Sequence, residues 1–163
     1  MENEIQPIPL ALGERPPLPG AVKVSTVVTP KISRTQTKAR KSALDILYEA
    51  EQRGIDPVDV LAERREQEKI REFTFEIITG VAEHRSEIDQ RIAECAREWT
   101  LERLASVDRN LARIAIWELD YTKTPDQAAI SEALELADLL STDESVAFLN
   151  GLLGRAAETK MVV

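Results

Sequence analysis

A group of positively charged residues followed by a tyrosine is the part of this sequence best suited to chemistry. Arg34, Lys38, Arg40 and Lys41 lie close together, and Tyr48 follows two helical turns after Lys41. On a helix, residues 34, 38 and 41 share one face, so their cations can follow a phosphate backbone while the tyrosine ring stacks on a base. A solvated helix start explains the same residues equally well, so this segment alone leaves both interpretations open.

The element that must position these cations is a helix predicted at residues 35–53. Thr35 or Thr37 is suited to cap it, and a glycine follows its end. Positive charge in the first turns of a helix opposes the helix dipole, which favours acidic residues there. A sequence selected only for stability would avoid this arrangement, so the cations point to a function.

Residue types that carry out catalysis or bind metals are scarce. His84 is the only histidine and Cys95 the only cysteine, so a Cys/His metal site cannot be assembled. A Cys–His catalytic pair is formally open, but a surface histidine and a core thiol explain the two residues better. Gly151 and Gly154 fall in a predicted helix, where they suit close helix packing better than a phosphate loop. The sequence therefore predicts no enzyme and no cofactor.

The charge of the chain is unevenly distributed. The 163 residues carry a net charge of −8, yet residues 15–44 contain seven Lys or Arg and no acid, and residues 45–163 contain 14 basic and 26 acidic residues. A basic segment on an acidic body favours a local nucleic-acid contact by that segment. A tail that only aids solubility fits the same numbers. The single cysteine and the lack of a long apolar run indicate a cytoplasmic protein with no membrane segment.

The apolar periodicity predicts an all-α bundle. Residues 1–33 hold six of the eight prolines and show no lasting period, so they are predicted to form a disordered extension. The rest of the chain, residues 34–163, is predicted to form one helical domain. Its about seven helices are expected at residues 35–53, 56–67, 68–84, 86–99, 106–121, 124–140 and from 141 towards the C-terminus, with a connector at 100–104.

Cap signals support several of these boundaries. Asp56 and Pro57 read as an N-cap followed by proline at the first helical position. Ser106 is expected to cap the helix at 106–121, and Thr124 and Ser141 are expected to cap the last two helices through capping boxes.

The helix at 106–121 organises the predicted fold. Seven of the nine residues from 111 to 119 are apolar and cover nearly its whole circumference, so this helix must be buried on all sides. Arg113 and Glu118 interrupt that surface. Both need partners or a route to water, because an unpaired buried charge is costly.

Several sequence blocks, taken together, resemble the family of the transcription antitermination factor NusB. The similarity spans residues 35–157. The blocks are ALDILY at 43–48, VDR at 107–109, LARIAIWEL at 111–119, AISEALELA at 129–137 and FLNGLL at 148–153.

The resemblance implies two three-helix units packed against each other and no catalysis. It also implies pairing with the ribosomal protein NusE, joint binding of the boxA element of nascent RNA, and action with other Nus factors on elongating RNA polymerase in ribosomal RNA operons. Carried over by position, the family's RNA-binding residues fall on Arg34, Lys38, Arg40, Lys41, Tyr48, Asp108, Glu144 and Phe148.

Two alternative functions accompany this interpretation. The same helical domain begins certain RNA cytosine methyltransferases, but strands and a Gly-rich cofactor loop would then have to follow Val163. The other alternative is a helical protein-interaction module that binds no RNA. For Phe148, a place in the apolar core competes with an RNA contact.

Overall fold

The computed structural model describes the backbone of residues 30–97 and 99–160, with side chains from residue 35 onward. This part of the chain contains helices and no strand, which confirms the all-α prediction. None of its helices is long and apolar enough to cross a membrane. The helices are α1 Pro30–Arg53, α2 Pro57–Arg65, α3 Glu72–Glu83, α4 Arg85–Ala96, α5 Ser106–Tyr121, α6 Asp126–Leu140 and α7 Asp143–Thr159, with a short 3-10 helix at Leu101–Arg103.

The first helix begins earlier than the sequence suggested. It starts at Pro30, so Thr35 and Thr37 lie inside it and cap nothing. Residues 30–33 of the predicted disordered extension are therefore helical, and residues 1–29 lie outside the described part of the chain. The cations from Lys38 onward lie beyond the first turn, where the helix dipole no longer acts strongly. The expectation that they oppose the dipole is wrong.

The caps follow the predictions in part. Asp56 caps α2, and its carboxylate accepts a hydrogen bond from the Val58 amide at 2.8 Å. The cap of α7 is Thr142 and not Ser141, with its hydroxyl accepting from the Ser145 amide at 3.1 Å. Ala105 and Pro125 precede α5 and α6 without any side-chain cap bond, so those two capping predictions are wrong.

Helix α5 lies at the centre of the core, as its composition predicted. Every residue from 110 to 119 is buried. Its Trp117 packs against α3 so closely that a Cβ on Gly80 would lie 2.1 Å from the indole Nε1. A glycine at position 80 is therefore required by this packing. The close approach expected at Gly154 does not occur, because nothing lies within 4 Å of a Cβ placed there.

Two packed units surround this helix. Helices α1, α2 and α3 contact one another, while α4, α6 and α7 pack around α5. Helices α1 and α3 also contact α5, so α5 joins the two units. The helices α1 and α5 run antiparallel, because Glu51 bonds to Ser106 at one end and Arg40 bonds to Glu118 towards the other.

Candidate RNA interface

The outward face of α1 carries two of the predicted cations and the tyrosine. Lys38 is exposed and forms no ion pair with any described residue. Lys41 is also exposed, and its Nζ lies 3.1 Å from the Asp45 carboxylate. Tyr48 is 42% exposed. Residues 38, 41, 45 and 48 follow helical spacing, so two cations, one acid and one aromatic ring form a single stripe.

Arg34 belongs to the same helix. Position 34 is one turn before Lys38 and falls on the same side of α1 by helical register. Its side chain lies outside the described side chains. The assignment of Arg34 to an RNA-binding face stays a prediction.

Arg40 does not belong to this face. Its side chain is 3% exposed and binds the Glu118 carboxylate through two hydrogen bonds of 2.7 Å. A second carboxylate, of Glu132, lies 3.1 Å from its Nη1, and the ring of Phe73 lies 5.1 Å from its Cζ. A side chain enclosed in this way cannot reach a phosphate. We therefore correct its assignment from an RNA contact to a buried link between α1, α5 and α6.

The electrostatics of Arg40 agree with this structural role. Burial lowers the pKa of the guanidinium, but the hydrogen bonds and negative charges of Glu118 and Glu132 outweigh burial and raise the pKa above its ordinary value. The arginine therefore remains charged. Sequence spacing contained the signal, because position 40 lies one turn before Ala43 and two turns before Leu47, on the apolar face of α1.

The predicted acid of α5, Asp108, lies at the junction with α7. It is 7% exposed, and its two oxygens accept hydrogen bonds from Ser141 at 2.9 Å and Ser145 at 2.6 Å. Carboxylate oxygens carry two lone pairs each, so these bonds do not exhaust its capacity to accept. The serines fix the carboxylate against the start of α7.

The other two predicted positions lie on α7. Glu144 is exposed in the first turn, where its charge complements the helix dipole. Phe148 is half-buried, and its ring packs edge-on against Trp99 with 6.1 Å between ring centroids. The structure thus brings Asp108, Glu144 and Phe148 to the same corner of the fold.

A polar cluster that sequence reasoning missed joins this corner to α1. Glu51 accepts a hydrogen bond from Ser106, two from Arg109 at 2.8 and 2.6 Å, and one from Arg113 at 3.1 Å. Arg109 also donates to the carbonyl oxygens of Leu101 and Leu104. The cluster holds the end of α1, the start of α5 and the segment before α5 together. In the sequence, only the charge of Arg113 within an apolar helix indicated that such a cluster had to exist.

Glu51 is strongly affected by these contacts. Partial burial raises the pKa of its carboxyl, but the hydrogen bonds from Arg109, Ser106 and Arg113 outweigh burial and lower the pKa to about 2. The carboxylate is therefore ionised throughout the neutral range. Arg113 is further held by the carboxylate of Asp89 at 2.8 Å, so the charges within α5 that the sequence flagged are all paired.

The described residues provide no candidate metal site. No cluster of three or more His, Cys, Asp or Glu is placed to hold a metal ion there. Cys95 is buried as a free thiol, and the ring of His84 stacks on Tyr121 with 3.9 Å between centroids. Both residues therefore have packing roles.

The sequence blocks and the helical fold correspond to a known family. A family model for the NusB family matches residues 37–158. The chain belongs to the NusB family. This match confirms the resemblance. It includes all of helix α5 and the VDR block at residues 107–109.

Similar proteins agree with this assignment. The transcription antitermination protein NusB of Arthrobacter sp. (strain FB24) is 50% identical over 126 residues, which cover 76% of this chain and 93% of the relative. That of Salinispora tropica is 53% identical over 127 residues, covering 74% of this chain and 93% of the relative. NusB proteins are transcription antitermination factors and not a known enzyme family, which favours that interpretation over the methyltransferase domain.

Solved structures share the fold. T. maritima NusB is 32% identical with a TM-score of 0.68, covering 76% of this chain and 91% of that one. A chain in the crystal structure of the antitermination factors NusB and NusE in complex with dsRNA is 23% identical with a TM-score of 0.67, covering 77% of this chain and 97% of that one.

Proposed function

We propose that this protein binds boxA RNA jointly with the ribosomal protein NusE and that this complex, with other Nus factors, modifies elongating RNA polymerase in ribosomal RNA operons. The observation that carries the proposal is the outward stripe of α1, where exposed cations and an exposed tyrosine occur on a member of the NusB family. A fold shared with a chain that was crystallised with NusE and RNA supports it.

Each group of residues in the proposed interface contacts a different part of the RNA. Lys38 and Lys41, with Arg34 by register, contact phosphates and position the RNA without reading its sequence. Tyr48 offers a ring for stacking, which single-stranded RNA uses with any base. Asp108 and Glu144 are acceptors for base amines, and Phe148 adds a second ring. The fixed corner between α5 and α7 holds these last groups in place.

The test is a titration of labelled boxA RNA at several salt concentrations, with and without NusE. Each lost phosphate contact lowers the salt slope of the binding constant by about 0.7 for single-stranded RNA, so Lys38→Gln combined with Lys41→Gln should lower it by about 1.4. The matched control is Arg85→Gln, which removes a partly exposed cation from α4 that pairs with Asp89 four residues later, as Lys41 pairs with Asp45. It should leave the slope unchanged.

Two results would argue against the proposal. Failure of the wild-type protein to bind the RNA with NusE present would remove the function itself. If the double lysine variant binds RNA with the same affinity and salt slope as the wild type, the protein binds RNA but the α1 stripe does not contact it.

A further inference from the structure

The most exposed aromatic side chain among the described residues has no role in the RNA contacts proposed above. Trp99 is 47% exposed and lies between α4 and α5. Helix α4 ends just before it, where Arg97 has a φ of 61°. The indole is therefore accessible to a binding partner.

The surroundings of Trp99 hold the indole in place and leave a cation beside it. The edge-on contact with Phe148 supports the ring. The Cζ of Arg103 lies 5.6 Å from the Trp99 ring centroid. Arg103 is exposed and pairs with no carboxylate among the residues described, so its positive charge is not neutralised.

The position of this segment links it to the proposed interface. Arg109 binds the Leu101 and Leu104 carbonyls and also the Glu51 carboxylate. Glu51 lies one turn after Tyr48 on α1, so the segment is held at the tyrosine end of the stripe. On its other side, Trp99 touches Phe148 of α7. Trp99 therefore lies between the two parts of the proposed interface.

We propose that Trp99 and Arg103 form an additional RNA subsite in which an unpaired base stacks on the indole and the guanidinium contacts an adjacent phosphate. The inference rests on the proposed function and adds a base-stacking position to it. The unneutralised arginine beside the ring favours RNA over an apolar protein partner, because a phosphate supplies the missing negative charge.

The two tryptophans of the chain allow a direct measurement. Trp117 is 7% exposed and packs against Phe73 and Gly80 in the core, whereas Trp99 is accessible. In Trp117→Phe the remaining indole reports on Trp99, and in Trp99→Phe it reports on the core. Titration of the NusE complex with boxA RNA, corrected for NusE fluorescence, should quench the first variant and not the second. Should Trp117→Phe fold poorly, subtracting the Trp99→Phe signal from that of the wild type gives the same information.

Affinity supplies the second readout. Trp99→Ala should weaken RNA binding by about 5- to 150-fold, the range seen when a stacking ring is removed, and Trp99→Phe should restore part of it. Arg103→Gln should lower the salt slope by about 0.7. The matched control is Phe75→Ala, since Phe75 is 39% exposed and has the Arg65 guanidinium 5.1 Å from its ring centroid, on α3. It should bind RNA like the wild type.

The outcomes separate this inference from the function on which it rests. If the wild-type complex binds no RNA, both fail. If the wild type binds and Trp99→Ala binds equally well without indole quenching, the subsite alone is overturned. If Trp99→Ala instead weakens binding of NusE in the absence of RNA, measured by calorimetry, Trp99 is a protein contact and the RNA subsite is overturned as well.

Discussion

The two faces of α1 show how different neighbouring cations can be. Arg40 lies inside the fold between two carboxylates, while Lys41, one position later, is exposed beside Asp45. The sequence groups them as one basic cluster, but helical register separates them by about 100°. The comparison teaches that a run of cations describes a surface only after each residue is placed on the helix.

The largest expected effect is on the inward face. Arg40→Gln leaves Glu118, which is fully buried, without its cation. Removing one partner of a buried pair typically costs about 3–5 kcal/mol, and we expect a loss of that size in the free energy of unfolding measured by urea denaturation.

A double variant sharpens this result. Arg40→Gln combined with Glu118→Gln removes one of the two buried carboxylates that lose their cation, and should recover part of the lost stability although Glu132 keeps its charge. A loss of only about 1 kcal/mol in the single variant, typical of an exposed pair, would show that Arg40 is less enclosed than its contacts indicate.

An apolar neighbour provides the reference value. Ile114 lies beside Arg40 and Glu118, where α1, α5 and α6 meet, and is 3% exposed. Ile114→Ala should destabilise the protein by about 2–5 kcal/mol, the usual loss for a large buried aliphatic side chain. Chemical denaturation of Ile114→Ala and Arg40→Gln compares the apolar core with the ionic link. A loss below about 0.5 kcal/mol in Ile114→Ala, a value typical of the surface, would show that α5 is not the central helix.

Glu51, on the same helix, is partly buried, and we expect its substitution to cost less stability than that of Arg40 and more than that of Lys38 or Lys41. Its pKa is lowered to about 2 in the folded protein, from an ordinary value of 4.5. Its contribution to stability is therefore present above pH 4.5 and is lost as the pH falls towards 2. Allowing for solvent screening, we expect this contribution to be about 1–2 kcal/mol.

The variant Glu51→Gln tests this pH dependence. It should be less stable than the wild type at pH 7, and the difference should shrink as the pH falls from 4.5 to 2. Thermal melts across this range supply the measurement. A difference that stays constant with pH would mean that the hydrogen bonds and not the charge of Glu51 hold α1 to α5.

The smallest effects are expected on the outward face. Lys38→Gln should change the free energy of unfolding by less than about 0.5 kcal/mol, as for most exposed positions. Lys41→Gln loses its pair with Asp45, for which about 0.2–0.5 kcal/mol is typical. Urea denaturation of each variant against Arg40→Gln completes the comparison. A loss above about 1 kcal/mol in either lysine variant would contradict the division between the two faces.

Periodicity was enough to predict the helices and the central position of α5, because both depend on the apolar pattern. Cap positions were less predictable, since tertiary contacts recruit the same hydroxyls. Ser106 and Ser141, for example, donate to Glu51 and Asp108 instead of capping their helices. The close packing at Gly80 depends on where Trp117 lies, which the local sequence of α3 does not contain.

The candidate interface was predictable only in part. Lys38, Lys41 and Tyr48 lie on the outward face as expected, and their role in RNA binding stays a prediction. Arg40 was assigned to the interface only by the family resemblance, whereas helical register leaves it off the face shared by residues 34, 38 and 41. Glu51 and Trp99 were missed because their meaning comes from partners far away in the sequence, Arg109 and Phe148.

The link between Arg40 and Glu118 also affects the order in which the chain can fold during synthesis. The two residues lie 78 positions apart, and α1 and α3 both pack on α5. A growing chain that has not yet produced α5 lacks the surface that these helices need, so its first half cannot fold ahead of the second. The ribosome must therefore synthesise most of the chain before the native core exists, and a fragment ending at residue 105 is expected to be digested rapidly by trypsin.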